Sequence, residues 1–312
     1  MTGWKSLTQA WLYPGVVGAR AADEYRDGRA IHALKPCYFR VEPDGSLVRF
    51  NQTSPGDNGF SAENVADIKR HSTEQFALVG SHLDAMQALL SSPKRMDDAI
   101  ATLTEFSVAT GFTGIELDWE GYDGWTDALY AGYLAFVGRF ATTLHDAGKQ
   151  LIVIGPPISN AGEQARYRWR YEDLAASAAD RLLVMAYDYQ FSAGAGTPVA
   201  PMAWIEGICD WMIAAVGDPD RIIVGLNSYG YVGLPGTMDP ELLTHEQLAT
   251  KPGFATAVRD IESQELFWTC DGAVACYSDT ATLDAKRRTV ESKGIRRLSV
   301  WHLGGNDWFS RG

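Results

Sequence analysis

From Thr113 to Glu120 the chain reads Thr-Gly-Ile-Glu-Leu-Asp-Trp-Glu, with acids at Glu116, Asp118 and Glu120 and apolar side chains at Ile115, Leu117 and Trp119. Alternation with period two is the pattern of a β-strand, so the three carboxyl groups share one face and the apolar residues the other. Carboxylates crowded on a covered strand repel one another and lose hydration. That is costly unless the site uses them to raise a pKa, hold a proton or stabilise positive charge. A solvated edge strand could also carry such acids, facing water. The long helix-like segments on both sides favour a covered strand in an α/β fold.

Glu120, last in the row and nearest a cleft at the strand end, is the natural proton donor to a leaving-group oxygen. Asp118 is its charge partner, and Glu116 is the deeper member, able to share a proton with Asp118. The three titrate as a set. Alternate strand residues lie ~7 Å apart along the backbone, longer than the ~5–5.5 Å of an acid-plus-nucleophile pair. The spacing leaves room for a substrate that supplies its own nucleophile. Three carboxylates could also hold a hard divalent cation, but no Asp/Asn/His set on another strand completes such a site. No metal and no cofactor is therefore expected.

These residues need a frame. Strand-like runs at Ala10–Tyr13, Ala33–Val41, Phe76–Gly80, Gly114–Glu120, Gln150–Gly155, Arg181–Tyr187, Arg221–Asn227 and Arg297–Leu303 alternate with amphipathic helical runs, the clearest from Trp125 to Asp146 and from Met96 to Thr110. Blocks such as Leu151–Ile154 and Leu182–Met185 suit parallel strands buried on both faces. Eight such units predict an α/β fold of the (β/α)₈ TIM-barrel type, whose active sites gather at the carboxyl ends of the strands. The dinucleotide fingerprint GxGxxG is missing after the first strand, against an open doubly wound sheet. Between strands seven and eight the rhythm breaks. Pro235, Pro240 and Pro252 and a hairpin signal at Asp271-Gly272 predict a small α+β insertion. The expected division is a barrel of residues 1–230 and 296–312 and an insertion of 231–295 that includes the last helix. Tyr13, Tyr38, Asn227 and Tyr229 lie near predicted strand ends as candidate sugar contacts. Tyr122 and Trp125, just past Glu120, are candidate aromatic walls or packing residues. His302 should point away from the neighbouring Trp301 and serve packing or surface.

The 312 residues carry a net charge of −12, which argues against nucleic acid or anionic membrane as partners. No window reaches the ~18 apolar residues of a membrane span. Met1 to Ala10 has no basic patch followed by an apolar run, so no secretory signal is expected in the chain as given, and the compartment stays open. The four cysteines Cys37, Cys209, Cys270 and Cys276 form no CxxC or Cys/His cluster. A Cys270–Cys276 bridge is conceivable, with free thiols the default.

The acidic strand resembles the DGxDxDxE signature of glycoside hydrolase family 18, the chitinase-like enzymes. Gly114 matches its glycine, Asp118 the last aspartate and Glu120 the catalytic glutamate, while Thr113 and Glu116 replace the first and middle aspartates. Met185-Ala-Tyr187-Asp188 resembles the family's MxYD motif, and Trp301 the tryptophan that floors its sugar site. Tyr38–Ser46, Leu243–Leu248 and Leu298–Gly305 are most similar to the branch holding spore-germination and cortex-lytic enzymes and chitobiase-like proteins.

The resemblance implies retaining hydrolysis of β-linked N-acetylglucosamine-containing glycans, peptidoglycan favoured over chitin-type oligosaccharides, by a catalytic set of Glu120, Asp118, Glu116 and Tyr187. In that scheme the 2-acetamido oxygen attacks the anomeric carbon and forms an oxazolinium ion. Glu120 protonates the departing oxygen and then activates water, while Asp118 and Tyr187 hold the acetamido group; this family is an exception to the two-carboxylate scheme. Trp301, Met185 and Asp188 would bind substrate. A monomer is expected. A non-catalytic sugar-binding protein on the same barrel is the rival reading, and transglycosylation a third.

Overall fold

The computed structural model describes residues 6–13, 21–29 and 31–310, with the side chain of Cys270 excepted. The first half of the N-terminal segment read for an export signal lies outside the described residues, as does the side chain of Cys270 in the conceivable Cys270–Cys276 bridge; Cys276 itself is a buried free thiol.

Eight parallel strands close a barrel: β1 (Leu7–Leu12), β2 (Ala33–Val41), β4 (Glu74–Ser81), β5 (Gly114–Trp119), β6 (Gln150–Gly155), β7 (Arg181–Met185), β8 (Ile222–Asn227) and β14 (Arg297–Leu303). β1 pairs with both β2 and β14, and this closure removes every edge. A short β3 (Leu47–Arg49) runs antiparallel on β2. The protein is a (β/α)₈ barrel.

The helices that cover it are α1 (Ala21–Arg26), α2 (Ala62–His71), α3 (Leu83–Leu90), α4 (Pro93–Thr110), α5 (Asp127–Asp146), α6 (Ala161–Tyr167), α7 (Tyr171–Ala176), α8 (Gln190–Ala193), α9 (Met202–Val216) and, before β14, α11 (Thr280–Ser292). Their ends follow from local chemistry. Ser92 caps α4 with Pro93 in its first turn, Thr126 caps α5 by accepting from Leu129 N, and Gly111 stops α4 at φ 68°.

The alternation along β5 sorts its side chains as expected. Ile115, Leu117 and Trp119 enter the core between barrel and helices, where Trp119 stacks on Phe136 with centroids 5.0 Å apart. Glu116, Asp118 and Glu120 take the other face, which is the barrel interior and its mouth. Gly114 is where β5 approaches β6 most closely. A Cβ there would lie 1.9 Å from the Gln150 carbonyl oxygen, so only glycine fits.

The insertion is a five-stranded antiparallel sheet of β9 (Gly230–Gly233), β10 (Glu241–Leu243), β11 (Val258–Arg259), β12 (Leu266–Cys270) and β13 (Ala273–Tyr277), with α10 (His245–Ala249) alongside. Asp271 and Gly272, both at positive φ, form the tight turn between β12 and β13. The expected division places α11 in the insertion. α11 packs on α9 and β8 of the barrel and is tied to the insertion through Lys286 and Glu265. The stretch after β14 carries no helix within its described residues and instead binds the insertion, where His245 N donates to Asn306 Oδ1 at 3.0 Å.

Candidate active site

The barrel interior is built in layers, and its upper layers make the floor of the site. Glu116 is completely buried, and both its carboxylate oxygens are taken: Lys35 Nζ lies 2.5 Å from Oε1 and Trp11 Nε1 donates to Oε2 at 2.6 Å. Phe76, Leu78, Ile152, Ile154, Leu183 and Ile223 pack around this ion pair. The expected proton exchange between Glu116 and Asp118 therefore has no free carboxylate oxygen on the Glu116 side.

Above it, Asp118 is hydrogen-bonded to Glu120 instead. Its Oδ1 has no hydrogen-bond partner among the described residues. Burial pushes the Asp118 carboxyl well above the usual range; the Glu120 and Glu116 charges add to this and Lys35 opposes them. Burial also raises Glu120, helped by the charge of Asp188 and opposed by His82 and by the hydrogen bond from Asp118. Their mutual interaction raises Asp118 and lowers Glu120, which biases the proton toward Asp118 in the free site. Glu120 lies one residue past β5, with its N–H on Ser81 O at 3.0 Å, and its side chain is solvent-accessible within the walls of the cleft.

That cleft holds about 600 Å³ at the carboxyl ends of the strands and brings together Asp118, Glu120, Met185, Tyr187, Asp188, Tyr229 and Trp301. Gly225 on β8 makes room for the Tyr187 ring, since a Cβ there would sit 3.1 Å from Tyr187 Cε1. Burial, with Asp118 and Asp188 nearby, pushes the Tyr187 phenol far above its ordinary value, so its hydroxyl remains a donor. Asp188 sits at φ 68°, and its Oδ1 accepts from Tyr229 at 2.5 Å and Tyr231 at 3.0 Å. Burial raises the Asp188 carboxyl, and these two bonds together with Gln190 hold it back. The Tyr229 hydroxyl is thus committed to Asp188 while its ring lines the cleft. Trp301 is half-buried, edge-on to Trp11 at 5.4 Å and to Tyr13 at 5.8 Å. Tyr13 is exposed beside it, just outside the lining set.

Two expected sugar contacts fall elsewhere. Tyr38 is fully buried on the outer face of β2, stacked on Phe112 at 6.2 Å under α4, because Lys35 and Cys37 face the barrel interior and strand alternation turns Tyr38 the other way. Asn227 is fully buried and hydrogen-bonded to Tyr229 O, Ser278 Oγ and Lys286 Nζ, away from the cleft. Tyr122 lines the cleft, whereas Trp125 is core and donates through Nε1 to Glu120 O at 3.3 Å, backing the turn that carries the acid. His302 is buried, with Nδ1 2.7 Å from Leu303 O.

Sequence reasoning missed Trp11, Lys35 and the far wall of the cleft, made by Tyr167 of α6, Tyr189 and Trp204 of α9. A signal existed for Lys35: a lone cation inside the apolar run Ala33–Phe39 calls for a buried acid. Tyr189 and Trp204, ring centroids 5.2 Å apart, come from the turn before α8 and from α9 and left none. Among the described residues no group of three His, Cys, Asp or Glu side chains is arranged to hold a metal ion, and no helix is long and apolar enough to cross a membrane.

With this geometry in place, the comparisons with known proteins can be read. The profile of glycosyl hydrolases family 18 matches residues 38–307. A putative sporulation-specific glycosylase, YdhD of Bacillus subtilis strain 168, is 21% identical over 236 residues, 72% of this chain. The chain spans about half (54%) of that relative's length. A chitinase from Chromobacterium violaceum superposes with a TM-score of 0.80 at 19% identity, covering 97% of this chain and 95% of that one. The spore cortex-lytic enzyme SleL of Bacillus megaterium gives 0.77 at 17% identity, covering 97% and 71%. The match to the family profile spans most of the barrel and includes the acid row, the Met185–Asp188 turn and Trp301, and the chain belongs to glycosyl hydrolases family 18.

Proposed function

We propose that the chain is a retaining glycosidase that cleaves β-linked N-acetylglucosamine-containing glycans with the help of the substrate's own acetamido group. The observation that carries this reading is the cleft at the mouth of the barrel, where Asp118 and Glu120 stand together with Tyr187 and Trp301 and the carboxyls of both acids are raised. Trp301 offers an apolar face to a sugar ring. Asp118 Oδ1, without a partner, is suited to accept the acetamido N–H, and Tyr187 to donate to its carbonyl oxygen. As Asp118 turns to the substrate, its proton passes to Glu120. The acetamido oxygen then attacks the anomeric carbon while Glu120 protonates the departing oxygen. The oxazolinium cation is stabilised by the acid row. Glu120, now a carboxylate, takes a proton from the water that opens the ring, and that proton passes back to Asp118 as the product leaves, which restores the starting state.

The branch likeness and the spore cortex-lytic neighbour favour peptidoglycan, with chitin-type oligosaccharides next. The test is a product assay on purified peptidoglycan and on chitin oligomers, with and without a thiazoline that mimics the oxazolinium. Glu120→Gln should fold as the parent and lose about 10²–10⁴-fold or more of its hydrolysis, the usual worth of a general acid. Undiminished turnover in that variant refutes the assignment.

A further inference from the structure

Beneath the acid row lies a charge that the proposed reaction does not use. Lys35 of β2 and Glu116 of β5 are both completely buried, with Nζ and Oε1 2.5 Å apart. Trp11 of β1 completes the arrangement twice over. Its Nε1 binds the second Glu116 oxygen, and its ring lies 4.8 Å from Lys35 Nζ. The same indole meets Trp301, so the ion pair is keyed to the floor of the cleft. A carboxylate held from both oxygens by a cation and an indole N–H is not free to turn toward Asp118.

We propose that Lys35 is a positioning residue that pins Glu116 as a fixed carboxylate beneath Asp118, leaving Glu120 as the only proton partner of Asp118. The inference rests on the reaction proposed above. Where Glu116 would otherwise compete for the proton, its pairing makes it an immobile charge whose repulsion keeps the proton on Asp118, while Lys35 limits how strongly it does so. The two act on Asp118 in opposite senses, Glu116 raising it and Lys35 lowering it. Burial draws the Lys35 ammonium down, and Glu116 counters that. The other groups facing Asp118 are Cys37 from β2, Tyr122 from the turn after β5, Tyr133 from α5 and Tyr187 from β7; Lys35 also feels Arg181 and Glu74 from the layer below. None of these touches Glu116 at hydrogen-bond distance.

The experiment is a carboxyl ¹³C NMR titration of protein labelled at Asp and Glu, assigned through Asp118→Asn, run beside the pH profile of kcat/KM. In Lys35→Met the highest titration step of the acid row moves upward, because a negative charge has lost its cation. In Glu116→Gln it moves downward, because the negative charge itself has gone. Each displacement is on the order of one pH unit for charges one strand-residue pair apart. The charge-free double variant returns close to wild type, and the basic limb of the rate profile follows the same order. A merely structural ion pair would lower melting temperatures in both single variants without opposite displacements. Titration steps that stay put, or that move the same way in both, overturn the proposal. If one single variant fails to fold, the other must still differ from the double variant in its stated direction, and equality overturns the proposal. The titration needs no substrate. Failure of the wild type to cleave any glycan would sink the proposed function and leave this test standing.

Discussion

Lys286 and Glu265 form a second fully buried ion pair, and it joins the insertion to the barrel. Lys286 Nζ on α11 donates to Glu265 Oε1 at 2.6 Å, Asn227 Oδ1 at 3.0 Å and Ser278 Oγ at 3.1 Å. Glu265 also accepts from the backbone N–H groups of Val199 and Ala200, which lead into α9. Lys286→Met keeps the length of the side chain but strips Glu265 of its counter-ion. The carboxylate stays desolvated with two backbone donors, and Asn227 loses one of its bonds. Removing one partner of a buried pair costs about 3–5 kcal/mol. At ~2 °C per kcal/mol for a chain of this size, the melting midpoint at neutral pH should fall by roughly 6–10 °C. The assay is thermal unfolding followed by circular dichroism and tryptophan fluorescence. Lys286→Met/Glu265→Gln leaves no unpaired charge and should recover part of the loss. A midpoint within about 2 °C of the parent would mean the pair is worth no more than an exposed one, and the reasoning fails.

Two further outcomes are expected. Burial opposes ionisation of Glu74, but the nearby His32 imidazole and the two hydrogen bonds from Arg181 outweigh it and hold its carboxyl down at about 2. A depressed carboxyl stabilises the fold above its unfolded pKa. Its contribution, about 3 kcal/mol from the 4.5-to-2 displacement, should vanish as pH falls from 4.5 toward 2. Denaturant midpoints measured across that window in the parent and in Glu74→Gln check this, and an equally steep acid limb in the variant would contradict it. Gly225→Ala places a methyl group 3.1 Å from the Tyr187 ring, which is wedged against Tyr229. It should cost about 1–3 kcal/mol of stability by overpacking and reduce hydrolysis more than binding. Unchanged turnover would show that the position of the ring is not critical.

Much of this protein is written in local pattern. Apolar blocks such as Leu151–Ile154 announce buried parallel strands, and the period-two row from Ile115 to Glu120 sorts core from cleft, because strand geometry allows no other assignment of faces. Asp271-Gly272 marks its own turn for the same reason: the conformation belongs to those two residues. What pattern could not reach was decided by closure of the barrel. Closure put Lys35 and Cys37 of β2 inside the barrel and so turned Tyr38 out under α4, and packing against α9 drew α11 into the helical ring. Asn227 went to Lys286, 59 positions along the chain, and Glu116 went to Lys35, 81 positions back, rather than to its neighbour Asp118. A buried charge must find its complement wherever the fold brings one, and sequence spacing carries no record of that search. The acids that could do chemistry were legible one by one. Which of them holds the proton is a property of the assembled interior.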